Sequence, residues 1–355
     1  MEEITNNNNT LEKQPLVSII VITYNSSKYV LETLESAKAQ TYQNIELIVS
    51  DDCSTDNTVE ICREWIEKNK ERFVRTELIT AEKNSGIPAN CNRGVKSAQG
   101  EWLKFIAGDD TLKNEAIATY ISFISKHEEC SLLHSSMEIY KEKIEDKNKI
   151  STNYISLITE KINASTQFKL LCFLNQISAP TVIIKKEIIN KLGGFDESIP
   201  LCEDWPFWLK ATQNDFKFYY LNDPTVNYRI HNTSTYSSKN ASNALFPSFI
   251  KIDKIIFDKY ISKNCSKTLL IFWIYKYFIQ NAFIKLKMNK NIFFNKFIYK
   301  ILILPYICYE KWKINSLINN IHLLVSDKKY TLKLRSTPFG NSPGRFNFIV
   351  VKQKR

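Results

Sequence analysis

WLKFIAGDD, residues 102–110, joins a strand-like apolar run to a glycine and two adjacent carboxylates, Asp109 and Asp110. In an open α/β sheet, ligands bind beyond the carboxyl ends of the strands, so this acidic pair is expected to face a ligand. Two hard oxygen ligands suit Mg²⁺ or Mn²⁺, and such a cation can in turn hold the phosphates of a nucleotide. A turn that begins a helix explains the same residues without a metal, because Asp is favoured there in any case.

Three earlier segments have the same strand-then-helix pattern. The apolar, β-branched run Val17–Thr23 predicts a strand buried on both faces, and Ile45–Val49 and Arg75–Thr80 predict two more. Amphipathic stretches that predict helices separate these segments. Because strand and helix alternate up to a fourth strand, Trp102–Ala107, a mostly parallel sheet with right-handed crossovers is the expected arrangement.

The strand ends carry polar pairs where nucleotide-binding proteins often have glycine-rich loops. Neither GxGxxG nor GxxxxGK[ST] follows any predicted strand, so these two phosphate-binding motifs are absent from the sequence. The pairs at three strand ends are Tyr24 and Asn25, Asp51 and Asp52, and Asp109 and Asp110. An aromatic ring for stacking and a carboxylate that accepts hydrogen bonds can form a nucleotide pocket without such a loop. Polar loops and helix caps are the alternative explanation for the same residues.

The charge of the chain is divided between an acidic part and a basic part. The chain has 355 residues and a net charge of +11, but residues 1–239 hold 27 Lys and Arg against 33 Asp and Glu, a balance of −6. Residues 240–355 hold 21 against 4, a balance of +17. This asymmetry predicts two modules, and a basic module is expected to meet nucleic acid or an anionic membrane. No nucleic-acid-binding motif occurs in the sequence, so the membrane is favoured.

The spacing of the cysteines and the first ten residues indicate in which cellular compartment the protein is expected. The eight cysteines are scattered without a CxxC pair, which argues against zinc and redox motifs and fits a reducing cytosol. The opening sequence MEEITNNNNT is polar and acidic, unlike a secretory signal peptide, and is interpreted as a short disordered lead. The main body is therefore expected in the cytoplasm.

Two apolar segments in the basic part are interrupted by polar residues. Thr268–Ile284 contains a lysine, a glutamine and an asparagine, and Asn291–Cys308 contains two lysines. Both fall short of the roughly 18–20 uninterrupted apolar residues that a membrane span needs. Amphipathic helices at a membrane interface are favoured, and a helical subdomain packed on the body is the alternative. The turn-rich stretch 336–344 is given no function.

Six blocks of the sequence, in order, resemble the successive motifs of the family 2 glycosyltransferases. They are VSIIVITYN, IELIVSDDCSTDNT, NSGIPANCNRGV, GEWLKFIAGDD, GGFDESIPLCEDWPFWLKA and NYRIH, and they lie within about Leu16–Ser238. The resemblance implies the GT-A fold, a Rossmann-like α/β architecture with a mostly parallel mixed sheet flanked by helices, here with a C-terminal helical basic region. The organisation expected is a lead (1–14), a catalytic domain (15–239), a helical, basic region able to associate with a membrane (240–335) and a tail (336–355).

The resemblance also implies a donor site and a metal site. The nucleotide would lie against Ile22, Tyr24, Asn25, Asp52, Asn84, Arg93 and Asp109. Mn²⁺ or Mg²⁺ would be held at the diphosphate by Asp110, Asp109 and His231, and which of the two aspartates carries the metal stays open. Relatives often have Arg where this chain has Cys91, so the phosphate contact implied there would need another residue. Arg93 is a candidate to compensate, and a solvated position on its helix is the alternative for Arg93.

The pair Glu203 and Asp204 is the candidate catalytic group. Transfer with inversion needs a base that takes the proton of the attacking hydroxyl, and a carboxylate also stabilises a transition state with oxocarbenium character. Aromatic residues follow the pair, and aromatic faces suit a sugar ring. Carboxylates in the first turn of a helix, beside Pro206, are the structural alternative. Asp204 is the predicted base and Glu203 the alternate.

Together these features predict a metal-dependent inverting glycosyltransferase that uses a nucleotide-diphospho-sugar, with a UDP-sugar as the first candidate. The acceptor would be a hydroxyl of a glycan or lipid-linked molecule in surface polysaccharide synthesis, at the cytoplasmic leaflet, with no nucleic acid as a partner. A sugar nucleotidyltransferase is one alternative, but it would need a glycine- and lysine-rich loop after the first strand, and YNSS lacks it. A non-catalytic, membrane-associated glycan-binding protein is the other, and it would show broken carboxylate sites.

Overall fold

A mixed sheet of nine strands forms the centre of the computed structural model, which describes residues 14–150, 156–173, 175–231, 245–290, 292–322, 330–334 and 348–352. The strands are β1 (Val17–Thr23), β2 (Ile45–Asp51), β3 (Arg75–Thr80), β4 (Trp102–Ala107), β5 (Thr111–Leu112), β6 (Leu132–Lys141), β7 (Lys149–Ile150), β8 (Val182–Lys185), β9 (Tyr219–Ile230), β10 (Tyr330–Leu334) and β11 (Phe348–Lys352). The helices are α1 (Val30–Lys38), α2 (Thr58–Asn69), α3 (Ile87–Ser97), α4 (Ala116–Ile124), α5 (Ala164–Leu171), α6 (Lys186–Lys191), α7 (Asp204–Gln213), α8 (Pro247–Ile256), α9 (Lys267–Lys285) and α10 (Phe293–His322).

The order of strands in the sheet is β3-β2-β1-β4-β8-β6-β9-β5, with β7 paired to β6. Strands β1 to β4 pair in parallel, whereas β8 runs antiparallel to both β4 and β6. Strand β9 is parallel to β6 and antiparallel to the short β5. The predicted α/β class, a mostly parallel mixed sheet flanked by helices, is confirmed.

The register of β1 brings three strand ends to one edge of the sheet. Thr23 pairs with Asp51 of β2, and Ile22 pairs with Ala107 of β4. All residues of β2 and all but one of β1 are buried, because hydrophobic clusters cover both faces of these strands. Strand β2 runs two residues beyond its predicted end since this pairing continues to Asp51. The polar pairs that follow the three strands therefore lie side by side, as the sequence predicts.

The C-terminal helices pack against the α/β body. One hydrophobic cluster contains Trp205 and Phe207 of α7 together with Phe257, Trp273 and Tyr309 of the C-terminal region. The rings of Phe257 and Trp273 stack with centroids 3.9 Å apart. One side of α9 is thus part of the main core, which is the packing that the sequence left as the alternative to membrane contact.

A two-stranded sheet near the C-terminal end of the chain was not predicted from the sequence. Strands β10 and β11 pair in antiparallel fashion. The stretch 336–344 and residues 1–13 of the predicted lead lie outside the described residues. Among the helices that the structure describes, none is both long enough and apolar enough to cross a bilayer.

Asp196 ties the segment before α7 to the C-terminal region. Its carboxylate accepts hydrogen bonds from the Lys259 ammonium at 2.6 Å and from the Tyr260 hydroxyl at 2.5 Å. Ser198 donates to the other carboxylate oxygen at 2.7 Å. Burial by itself would raise the pKa of Asp196, but these donors outweigh it and lower the pKa to about 2.

Asp196→Asn is expected to lower the free energy of unfolding by about 1–2 kcal/mol near neutral pH. Because the pKa in the fold, about 2, lies below the ordinary 3.8, the charged form stabilises the fold above 3.8 and loses this effect as pH falls toward 2. Urea unfolding at neutral pH and near pH 3 measures the loss, which should shrink at the lower pH. The control, Asp258→Asn, breaks only an exposed ion pair with Lys254 and should cost under about 0.5 kcal/mol. Equal losses in the two variants would contradict this prediction.

Candidate active site

The residues that follow β1 form a turn, and the loop after β2 holds this turn in place. Asn25 has a φ of 51°, a left-handed conformation that Asn adopts more readily than most residues. Its N–H donates to the Ser54 hydroxyl at 2.8 Å, and its side-chain oxygen accepts from the Thr55 N–H at 2.8 Å. Beside this turn, Tyr24 keeps 49% of its surface exposed. Asn25 therefore fixes the turn, and Tyr24 presents an accessible ring.

Asp52 is the centre of a second set of contacts. Its carboxylate accepts from the N–H of Ser85 at 3.1 Å and from the N–H of Gly86 at 2.8 Å. The guanidinium of Arg93 donates to the same carboxylate at 2.5 Å, and Arg93 Nε is buried without a hydrogen-bond partner in the described part of the chain. Asn84, in the same turn, is exposed. Asp52 thus fixes the turn that carries Asn84 and orients Arg93.

Helix α3 holds this turn against the segment that precedes α7. Gly86 has a φ of +92°, and a Cβ there would lie 2.6 Å from the Pro200 carbonyl oxygen, so only glycine fits. The N–H of Ile87 donates to that carbonyl at 3.0 Å. Further along α3, the Asn92 side chain donates to the Phe195 carbonyl at 3.0 Å and accepts from its N–H at 2.9 Å. The start of α7 is therefore held beside the Asp52 turn.

Asp109 and Asp110 are adjacent in sequence but lie in different environments. Asp110 is 2% exposed, and its carboxylate accepts from the backbone N–H of Arg229 at 2.8 Å. Burial, followed by the nearby charge of Asp109, raises the pKa of Asp110 well above its ordinary value, although Arg229 opposes this shift. Asp110 therefore secures strand β9 and is nearly closed to solvent.

Asp109 lies against His231 and remains partly open. Its side chain is 30% exposed, and one carboxylate oxygen is 2.9 Å from His231 Nε2. A carboxylate and an imidazole are ligand types that Mn²⁺ accepts, and Mg²⁺ is usually held by one or two carboxylates together with substrate phosphates. Among the described residues, no three His, Cys, Asp or Glu lie close enough to hold a metal ion by themselves. The donors present fit a cation shared with a diphosphate, but not a metal centre built by the protein alone.

Arg229 connects the residues around Asp109, and the sequence did not single it out as a site residue. Its guanidinium donates to the Asp109 carbonyl at 2.8 Å and to the Glu32 carboxylate at 2.6 Å. It also lies over the Tyr29 ring, 4.4 Å from the centroid, and that ring is 4.8 Å from the His231 ring. The NYRIH block contains Arg229, but no local pattern signals that this arginine is buried.

Asp204 begins α7 with both carboxylate oxygens hydrogen-bonded. One oxygen accepts from the N–H of Trp205 at 2.7 Å and from the Cys202 thiol at 3.3 Å. The other accepts from the Asn175 side-chain amide at 2.6 Å. Glu203 and Asp204 are both partly buried. No sequence pattern marks Asn175, because it lies 29 residues before Asp204 and belongs to no motif.

Cys91 lies among the charges of Asp52, Arg93 and the Glu203–Asp204 pair. Its thiol is buried, and burial raises its pKa; the negative charges of Glu203 and Asp204 add to this effect, and Arg93 opposes it. Asp52 also acts on the same thiol. Asp52 and Arg93, two of the predicted donor residues, and the predicted catalytic pair therefore all act on one thiol, which carries no positive charge.

The structure gathers five of the predicted site residues into two groups at the sheet edge. Asp52, Asn84 and Arg93 form one group, and Asp109 and His231 form the other. The side chain of Ile22, near the end of β1, is partly buried, and its carbonyl accepts from the Gly108 N–H at 2.9 Å.

Comparisons with known proteins agree with this architecture. The family described as Glycosyl transferase family 2 matches residues 18–192. An uncharacterised glycosyltransferase of Haemophilus influenzae is 30% identical over 277 residues, which cover 77% of this chain and 98% of that protein. Bacillus subtilis TuaG, whose description assigns it provisionally to teichuronic acid biosynthesis as a glycosyltransferase, is 27% identical over 64% of this chain and 83% of its own.

A solved structure shares the fold. S. aureus TarS 1–349, described in complex with UDP-GlcNAc, superposes with a TM-score of 0.55 at 18% identity, covering 95% of this chain and all of that one. A longer TarS chain gives a TM-score of 0.53, and this chain spans 60% of its length. The sheet, its ordered motifs and these relatives lead to one conclusion: the chain belongs to glycosyltransferase family 2 and has the GT-A fold.

Proposed function

We propose that this protein transfers a sugar, with inversion at the anomeric carbon, from a nucleotide-diphospho-sugar to a hydroxyl of a glycan or lipid-linked acceptor. The observation that carries the proposal is the arrangement of the candidate residues at one sheet edge: the Asp52–Arg93 and Asp109–His231 pairs follow β2 and β4, which both pair with β1, and α3 holds the segment before Asp204 beside the Asp52 turn. A UDP-sugar is the first candidate donor, because TarS, which has a similar fold, is described in complex with UDP-GlcNAc. The description of TuaG supports surface polysaccharide as the class of product.

On the donor side, the accessible Tyr24 ring would stack on the base. We assign Asp52 two roles. Its carboxylate accepts hydrogen bonds from the 84–86 turn and from Arg93, so it would hold both in position around the nucleotide. It would also contact the nucleotide base, as the family resemblance implies. Arg93 would supply positive charge near the diphosphate. It would thus partly replace the arginine that relatives often have where this chain has Cys91.

Mn²⁺ or Mg²⁺, when bound, supplies positive charge for the leaving diphosphate. Asp109 and His231 would hold it, because Asp109 is the less buried of the two aspartates and already adjoins an imidazole. We assign Asp110 a structural role, since its carboxylate is buried and accepts from the backbone of Arg229. Tyr29 would keep the His231 ring in position.

Asp204 is our proposed base, with Glu203 as the alternate. Asp204 would take the proton of the acceptor hydroxyl while that oxygen bonds to the anomeric carbon and the bond from this carbon to the diphosphate breaks. The Asn175 amide and the Trp205 N–H hold the carboxylate in one orientation. Asn175 is therefore a positioning residue that acts through Asp204.

The protein would bind a lipid-linked acceptor at the cytoplasmic leaflet of the membrane. We propose that the protein works in the cytoplasm and sits peripherally on that leaflet. The basic region 240–335 would face the membrane, since the chain from residue 240 onward carries a balance of +17.

Asp109→Asn is expected to weaken Mn²⁺-dependent UDP binding tenfold or more, about 1.4 kcal/mol, because it removes the exposed carboxylate beside His231. Asp110→Asn is the matched control: the amide oxygen can accept the same hydrogen bond from Arg229, so affinity should change less than about threefold. Calorimetric titration of UDP, with GDP for comparison, with and without Mn²⁺, measures both. A loss confined to Asp110→Asn would reverse the two roles, and a parent protein that binds neither nucleotide would remove the donor proposal.

Asp204→Asn is expected to lower kcat by about 10²–10⁴, while the Kd of the UDP-sugar stays within about twofold, since the substitution removes only the base. UDP release from a panel of UDP-sugars in the presence of glycan acceptors measures turnover, and calorimetry measures binding. Glu203→Gln, at the neighbouring position, should keep kcat within about tenfold of the parent. A larger loss in Glu203→Gln than in Asp204→Asn would make Glu203 the base.

Asn175→Ala is expected to lower kcat about tenfold without changing the affinity for UDP, because the Asp204 carboxylate loses one of the groups that orient it. Asn175→Asp should lower kcat further, since two carboxylates would then face each other. Asn163→Ala, which removes the cap of α5, is the stability control and should lower the melting temperature with kcat unchanged. If Asn175→Ala behaves like Asn163→Ala, Asn175 is structural only.

A further inference from the structure

Helices α9 and α10 each expose an apolar stripe on the side turned away from the core. On α9 the stripe consists of Ile271, Ile274 and Phe278, which are 65%, 57% and 68% exposed. On α10 it consists of Phe293, Phe294, Phe297, Ile301, Leu304 and Trp312, all more than half exposed. Steps of three and four residues on α9, and of one, three, four and eight residues on α10, keep each set along one side of its helix. We call the two stripes together the outer face.

The two stripes belong to neighbouring helices. The rings of Phe283 on α9 and Tyr299 on α10 pack edge to face, with centroids 5.3 Å apart. The Tyr275 hydroxyl donates to the carbonyl of Leu302, which joins the more exposed sides of the helices. Large exposed apolar side chains collected on adjacent helices are unusual on a soluble surface and indicate a contact site.

Lysines surround the outer face. Residues 266–317 contain nine lysines and a single acidic residue, Glu310. Glu310 is only 5% exposed, so it adds little negative charge to the surface. The exposed lysines of the two helices and their connection are Lys267, Lys285, Lys287, Lys290, Lys300 and Lys311. The outer face is therefore apolar along its stripes and positively charged around them.

We infer that the outer face binds the surface of an anionic lipid membrane. Its aromatic and aliphatic side chains enter the boundary between headgroups and acyl chains, and its lysines meet the lipid phosphates. The opposite side of α9 stays in the protein core, where Trp273 contacts Phe257, so this helix lies along the membrane rather than across it. This inference rests on the peripheral membrane location proposed above and assigns it a surface, but it does not depend on the donor or the base proposed there.

Other occupants fit this surface less well. A second copy of the chain in a symmetric dimer would bring the same lysine-rich surface against itself, so like charges would approach across the interface. A nucleic acid would match the charge, but its phosphates would leave the apolar stripes uncovered. An anionic bilayer satisfies both features, because it offers negative headgroups above an apolar layer.

Trp312 provides a direct probe of insertion. It is 63% exposed, whereas the other five tryptophans, all within the described ranges, are buried. Full-length protein is mixed with vesicles of phosphatidylcholine containing about 30% phosphatidylglycerol and brominated acyl chains, and its tryptophan fluorescence is followed. We expect quenching by these vesicles, loss of most of that quenching in Trp312→Phe, and about tenfold or greater weakening of binding on pure phosphatidylcholine.

Paired variants separate the apolar and the charged contributions. Phe297→Ser with Ile301→Ser, and separately Lys285→Gln with Lys287→Gln, are each expected to weaken vesicle binding about tenfold or more, with unchanged UDP affinity. Val74→Ser, at a residue 64% exposed beside β3, is the matched control and should bind vesicles like the parent.

Four results would overturn the inference. They are an absence of vesicle binding by the full chain, equal binding to pure phosphatidylcholine, variants of the outer face that bind like the parent, and a dimer or DNA complex formed through this face in place of vesicle binding. Because UDP affinity is measured on the same proteins, a failure here is distinguishable from a failure of the proposed transferase activity.

Discussion

The parallel pairing of β1 with β2 and β4 is the constraint on which the site depends. Thr23 pairs with Asp51 and Ile22 with Ala107, so three strands end at one level. The strand ends then bond to one another, as when the Thr23 hydroxyl donates to the Asp51 carboxylate at 2.7 Å. The segments that follow do so as well, as when the Asn25 N–H donates to the Ser54 hydroxyl. A slip of one residue would turn every side chain of a strand to the opposite face and separate these contacts.

Burial, more than residue type, decides what each carboxylate at this edge can do. Asp110 is enclosed and accepts from the backbone of β9, whereas its neighbour Asp109 remains partly open beside His231. Asp52 uses its charge to hold a turn and an arginine, and Asp204 is fixed by a distant asparagine. These four aspartates thus differ in their ability to bind a cation, a nucleotide base or an acceptor hydroxyl, because each faces different partners.

The C-terminal helices have both a packed side and an exposed apolar side. One side of α9 packs into the main core through Trp273, while the other exposes Ile271, Ile274 and Phe278. A helix that is apolar on nearly all sides gives little indication from its sequence of which side is covered. The packing of α9 against α8, α10 and Phe257 is what leaves the other side free for a partner.

The sequence by itself determined the fold class and the bounds of β1, β3 and β4, and it supplied most of the residues proposed for the site, because alternating apolar runs and short motifs are local features that spacing reveals. It could not separate Asp109 from Asp110, since their difference is exposure. Nor could it find Arg229 or Asn175, whose contacts with Asp109 and Asp204 span 120 and 29 residues. Only the tertiary structure decided these, because burial and long-range hydrogen bonds arise when distant segments meet.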